Sequence, residues 1–385
     1  MRFAVDAHSI GQHLTGNEVF ARSLLNALAR ESSGSEAIAY VSSDSAIDVL
    51  PDSIRARKVS PNPYVRLGYD LSRQLRRDRP DLIHVQYTAP VRCPVPVVVS
   101  IHDVSYLEHP EYFTWHRRAQ LLVTVRRTAL GAARILTGSE FAKGTILKAY
   151  PSLDESGVVV TPYAPAPFFR VISRESAAVA VHNEFGFMAP FILAVGDLQP
   201  RKNHIGLIAS FAQMVRARAD LKHHLVLTGK DTWFSPRIRE AARLSGVSER
   251  IHFTGFVSDE KLLNLYNACE LFVFPSFYEG FGLPALEAMA CGRAVVTSRV
   301  SALPEVVDGA AILVDPDSCE QLARAMMDML VDSELRSRFE RLGIRRAAQF
   351  KWQDTAKGTL EVYRSVCRRP ASPAQRKALV RPARG

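Results

Sequence analysis

Residues 271–292 read LFVFPSFYEGFGLPALEAMACG. An apolar run, a loop with glycines at 280 and 282, and a segment with Pro284 in its first turn describe a strand, a glycine-bearing turn and a helix start. The same alternation extends in both directions. Strands are predicted at 191–195, 224–228, 251–254, 294–297 and 311–314, with helix-periodic stretches between them, and helices follow at 320–330, 333–349 and 353–366. An earlier series places strands at 3–7, 37–41, 82–85, 95–101, 134–137 and 158–161, and helices at 17–30 and 117–133. Apolar strands alternating with long helices indicate parallel sheets. The fold class expected is α/β, with two Rossmann-like doubly wound domains. The stretch 163–183 opens with Pro165 and Pro167 and lacks a strand pattern, so the boundary falls there. The expected organisation is a domain at 1–165, a linker at 166–188 and a second domain at 189–350. A helix at 351–369 is expected to return to the first domain, with a disordered Pro- and Arg-rich tail at 370–385.

The chain has 385 residues, 47% of them hydrophobic, and a net charge of +10 spread along its length. That length fits two domains. The charge suits anionic nucleotides, a membrane surface or nucleic acid and does not choose among them. Five scattered cysteines with no CxxC pair argue against a zinc site or disulfide frame and fit a reducing compartment. Asp6 and His8 interrupt the apolar run that a signal peptide needs, and no segment approaches a transmembrane length. Basic segments at 73–79 and 117–127 read as solvated helix faces that can also meet anionic lipid.

Site chemistry concentrates around the quoted segment. The backbone at Gly280, Phe281, Gly282 and Leu283 lies at a helix start, where free amides suit a diphosphate. Glu279 stands before the helix and Glu287 about one turn inside it, so the two carboxylates reach different parts of one extended ligand. Glu287 can accept from vicinal ribose hydroxyls, and Glu279 can hold sugar hydroxyls or stabilise positive charge at the anomeric carbon. In VGDLQPRKN (195–203), a strand ending in Gly196 is followed by Arg201 and Lys202, which can neutralise a leaving diphosphate without a metal. Gly229 closes the neighbouring strand, and Phe256 and Val257 follow the next one, where Phe256 suits either a core or a base-stacking position. Gly16 begins a helix whose amides can face phosphates. Asp315 and Asp317 form a superficial DxD, but before a helix they read as turn and cap residues. No metal and no cofactor is expected beyond a nucleotide diphosphate sugar as co-substrate.

With Glu279 and Glu287 as Glu-x7-Glu in EGFGLPALE, the chain resembles retaining glycosyltransferases of family 4, which have the GT-B fold. The resemblance implies two Rossmann-like domains facing a deep cleft, the first glutamate on the transferred sugar and the second on the ribose. It gives Arg201 and Lys202 the diphosphate, and GFV at 255–257 the base. His102 and Asp103 match a His-Asp at a strand end, which makes His102 a candidate for touching the sugar. Ser139 and Glu140 match a turn that reads equally as a helix cap. The chain departs from many relatives at Asp197, where they have arginine, and at Asn17, where they often have glycine. PRKN and HDVSYLEHPEYF look like bacterial polysaccharide mannosyltransferases. The expectation is therefore mannose transfer from GDP-mannose to a polysaccharide or lipid-linked acceptor, with retention, in the cytoplasm or peripherally at the inner face of the plasma membrane. The partners are then the donor, a saccharide or lipid-linked acceptor and anionic membrane, but not nucleic acid. Alternatives are a UDP-hexose transferase and a nucleotide-sugar 2-epimerase.

Overall fold

The computed structural model describes residues 1–12, 15–187 and 190–368. The chain divides into two compact units, Met1–Tyr163 completed by the segment from Trp352 onward, and Ala164–Lys351. The tail expected at 370–385 lies outside the described residues.

In the first unit, strands β1 (Arg2–Asp6), β2 (Glu36–Val41), β3 (Ile54–Lys58), β4 (Leu82–Gln86), β5 (Val97–Ser100), β6 (Arg134–Thr137) and β7 (Val158–Val160) form one sheet. Its order is β3-β2-β1-β4-β5-β6-β7, and every pairing is parallel. The second unit holds β8 (Phe191–Val195), β9 (His224–Thr228), β10 (Ile251–Gly255), β11 (Leu271–Phe274), β12 (Val295–Ser298) and β13 (Ile312–Val314). These are also all parallel, in the order β10-β9-β8-β11-β12-β13. The central strand β11 is buried along its whole length and apolar on both faces, so its run is legible in sequence.

β3 was not expected. Its sequence IRARK alternates small apolar residues with arginines because it is an edge strand, and charge on an edge discourages pairing with another chain. The stretch read as a linker also differs, because Ala164 onward belongs to the second unit and carries the helix Arg174–Phe185. That helix is capped by Ser173, which accepts from the Ser176 amide, and stopped by Gly186 in the left-handed region. The last described helix, Trp352–Arg368, packs in the first unit against the helix Thr15–Glu31. Its buried Tyr363 hydroxyl meets His84 Nδ1 at 2.6 Å, and His84 Nε2 meets Ser100 Oγ at 2.8 Å.

In each sheet the strand order reverses direction once, between β1 and β4 and between β8 and β11. Ligands of open parallel sheets bind beyond the carboxyl ends of the strands at such a reversal. Buried charged residues lie at both points: Asp6 and Arg66 in the first unit, Glu279 and Glu287 in the second.

Candidate active site

In the second unit, the loops after β8 and β11 meet. Pro200–Lys202 form a short 3-10 turn, stopped by Asn203 in the left-handed region, whose side chain accepts from the Gly206 amide to start the helix His204–Ala217. This turn aims both cations at the loop after β11. Arg201 Nη1 lies 2.7 Å from Glu279 Oε2, and Lys202 Nζ donates to Glu279 Oε1, also at 2.7 Å. Arg201 also donates to the Tyr278 carbonyl at 2.6 Å, and Lys202 sits over the Phe274 ring, 4.5 Å from its centroid. The Glu279 amide donates to Ser301 Oγ at 2.9 Å, which fixes the loop from the far side.

Glu279 is buried among these groups. Burial alone raises a carboxyl, but the two cations outweigh it and hold Glu279 at about 2. Lys202 is pushed down by burial while Glu279 opposes the shift. Three formal charges with a net of +1 thus share one water-poor position, which suits a dianionic ligand able to take over the cations from Glu279.

Glycines floor the site. The Gly196 amide donates to the Thr228 carbonyl and the Gly229 amide to the Gly255 carbonyl, so Gly196, Gly229 and Gly255 line the ends of β8, β9 and β10. A Cβ on Gly229 would lie 2.1 Å from the Gly196 oxygen, so no side chain fits there. Gly282 has φ 110° and opens the helix Leu283–Ala290, with Pro284 in its first turn. Inside that helix Glu287 is buried and accepts from the Tyr266 hydroxyl at 2.9 Å. Phe281 is buried and Gly280 lies beside it, while Val257 is half-buried. Phe256 is 48% exposed, which excludes the core position open to it on sequence.

The first unit treats its candidates differently. His102 follows β5 with a partly exposed edge, yet both ring nitrogens are engaged: Nδ1 meets the Tyr163 hydroxyl at 2.7 Å and Nε2 meets Gln86 Oε1 at 2.9 Å. Gln86 Nε2 donates to the Asn17 carbonyl at 3.1 Å, so its oxygen is the acceptor and His102 carries its proton on Nε2. Burial pushes His102 down to about 4, with Asp103 partly opposing, so the ring is neutral at physiological pH. Asp103 caps the following turn by accepting from Ser105, and Ser139 caps the helix Glu140–Ala149 by accepting from the Ala142 amide. Gly16 is exposed in the first turn of the helix Thr15–Glu31, and no atom would crowd a Cβ there.

Asp315 pairs with Arg299 at 2.9 Å and accepts from the Asp317 amide, and Ser318 caps the next helix. That is the turn-and-cap arrangement. Among the described residues no group of three or more His, Cys, Asp or Glu is placed to hold a metal ion.

Sequence reading missed three partners. Tyr266 orients Glu287, Tyr163 holds His102, and Gln86 links His102 to the start of the first helix. Each lies between 16 and 69 residues from the group it serves, beyond the reach of local spacing.

Two family descriptions match this chain, Glycosyltransferase Family 4 over residues 15–164 and Glycosyl transferases group 1 over residues 182–346. The O-antigen chain mannosyltransferase B of Escherichia coli is 30% identical over 276 residues, covering 69% of this chain and 70% of that protein. The chain belongs to glycosyltransferase family 4. This glycosyltransferase is also similar to the serotype-specific mannosyltransferase WbdA of E. coli, at 33% identity over 198 residues, 51% of the chain but only 24% of WbdA. Its fold matches Anabaena HepE, solved in complex with UDP and glucose, with a TM-score of 0.74 at 18% identity over 95% of this chain and 100% of that one. Among the described residues of the glycosyltransferase, no helix is long and apolar enough to cross a membrane.

Proposed function

We propose that this glycosyltransferase moves mannose from GDP-mannose to a polysaccharide or lipid-linked acceptor, with retention of the anomeric configuration and without a metal. The observation that carries the donor reading is the Arg201–Lys202–Glu279 cluster at the strand reversal of the second unit. The mannosyl reading is supported by the relatives named mannosyltransferases.

In this reading Arg201, Lys202 and the amides around Gly280, Phe281, Gly282 and Leu283 bind the diphosphate. They stabilise it as it leaves, because preorganised donors act where charge develops. Gly196 and Gly229 leave room for the backbone to approach it. Glu287, fixed by Tyr266, accepts from the ribose hydroxyls, and Phe256 and Val257 contact the base. Glu279 is ionised and so stabilises positive charge at the anomeric carbon while positioning the sugar; the departing phosphate takes the acceptor's proton. Gly16 offers helix-start amides within the first unit. His102 is neutral and fully hydrogen-bonded, so it reaches a sugar only by exchanging a partner; it serves as a positioning residue. Anionic membrane beside the basic segments of the first unit is the proposed setting, on the cytoplasmic side.

Thermal-shift binding of GDP, UDP and ADP without metal tests this. GDP is expected to stabilise the wild type, with Glu287→Ala and Lys202→Ala losing the effect. Stabilisation by UDP alone moves the donor to a UDP-hexose, and stabilisation by none overturns the donor site.

A further inference from the structure

The strand reversal of the first unit, between β1 and β4, carries a charged group that the donor reading does not use. Asp6 ends β1 and is 2% exposed. Its Oδ1 accepts from His8 Nδ1 at 3.0 Å and from the His8 amide at 3.3 Å. Its Oδ2 faces Arg66 Nε at 3.8 Å, too far for a hydrogen bond. Arg66 is 5% exposed and its buried Nε has no hydrogen-bond partner. A buried guanidinium N–H left without an acceptor is costly. Arg66 also opens the only π-turn among the described residues, Arg66–Asp70.

We infer that His8, held by Asp6 and flanked by Arg66, hydrogen-bonds a hydroxyl of the acceptor saccharide. The proposal rests on the glycosyl-transfer reading and adds an acceptor-side residue to it. In the neutral ring, the carboxylate bonded to Nδ1 keeps the proton there, and Nε2 presents its lone pair. Burial raises Asp6, but His8 and Arg66 outweigh it and keep the carboxyl below its ordinary value, so it remains an acceptor. A hydroxyl is the small group that donates to a lone pair and accepts from a guanidinium N–H at once. An anion fits less well, because the Asp6 charge already faces both basic groups. Gln86, which holds His102, also reaches Ser9 Oγ at 3.5 Å, so His8 adjoins the network that positions His102.

Two measurements test this. In the first, transfer from GDP-mannose to octyl α-D-mannopyranoside is compared for the wild type, His8→Ala and His8→Gln, with melting temperatures recorded. His8→Ala is expected to raise the acceptor KM about tenfold or more, with the donor KM moving less than about threefold. His8→Gln restores most of the loss, because its amide N–H2 keeps Asp6 and its oxygen accepts the hydroxyl. In the second, the side-chain nitrogen signals of His8 are followed by NMR as methyl α-D-mannopyranoside or methyl α-D-glucopyranoside is added, with no donor present. A saturable shift of Nε2 is expected. An unmoved His8 signal with both glycosides overturns the proposal whatever the donor result, as does a wild-type acceptor KM in His8→Ala. If His8 shifts but no mannose leaves GDP-mannose, the mannosyl reading falls and the acceptor contact stands.

Discussion

The loops beyond β8 and β11 in the second unit and the β4–β5 region of the first stabilise their functional groups in opposite ways. Beyond β8 and β11 the groups are charged: Glu279 pairs with both Arg201 and Lys202 at 2.7 Å each. In the β4–β5 region they are neutral: His102, beyond β5, is satisfied by Gln86 and Tyr163, and His84, within β4, by Ser100 and Tyr363. A charged cluster can exchange its counterion for an arriving anion. A neutral network has nothing to exchange and gains by holding a shape. The contrast teaches that one fold, repeated, supplies both an anion site and a rigid wall, depending on the residues at its strand ends.

The sharpest way to break the comparison is Lys202→Ala. It leaves Glu279 with one cation and is expected to lower kcat/KM about 10³-fold, the scale of removing a preorganised donor at developing charge. A drop under tenfold in steady-state kinetics, with an intact fold, would show that the cluster is structural. Gly229→Ala tests the floor of the same site. With a Cβ forced to 2.1 Å from the Gly196 oxygen, the loss is expected to be about 3 kcal/mol, or roughly 6–12 °C in melting temperature by calorimetry.

On the neutral side, the test is acidification. His102 titrates at about 4 in the folded chain against about 6.5 unfolded, so above pH 6.5 it is neutral in both states and has no effect. Between pH 6.5 and 4 only the unfolded chain binds the proton, and stability falls as pH falls, by about 1.4 kcal/mol per pH unit. His102→Gln is expected to remove that part of the slope in urea unfolding at pH 6.5, 5.5 and 4.5. Glu279 acts in a lower window: its depressed value gives stability that is present above about 4.5 and lost as pH falls toward 2. The smallest effect belongs to Tyr266→Phe, which deletes the hydroxyl donating to Glu287. It is expected to cost about 1.5–3 kcal/mol in chemical unfolding and to weaken nucleotide binding by a similar free energy.

Much of this was legible because buried parallel strands are apolar on both faces, as at Leu271–Phe274 and Phe191–Val195. β3 was hidden by the arginines an edge requires, and the helix Arg174–Phe185 by prolines read as a boundary, although Ser173 and Gly186 marked its ends. The residues of the charged cluster stood out by type and spacing. Their mutual contacts did not, because Lys202 and Glu279 are 77 positions apart and only the sheet order brings β8 beside β11. Asp6 and His8 read merely as breaks in an apolar run, since their partner Arg66 comes from another connection.

The excursion of the chain through the second unit between Tyr163 and Trp352 sets a schedule for synthesis. The first unit's seven strands leave the ribosome early, yet the helix that supplies Tyr363 to His84 follows about 190 residues later. At about 5–20 residues per second that is roughly 10–40 s, during which His84 and the inner face of the helix Thr15–Glu31 await their cover. A nascent-chain intermediate with a completed second unit and an uncapped first one is the species that chaperones would meet.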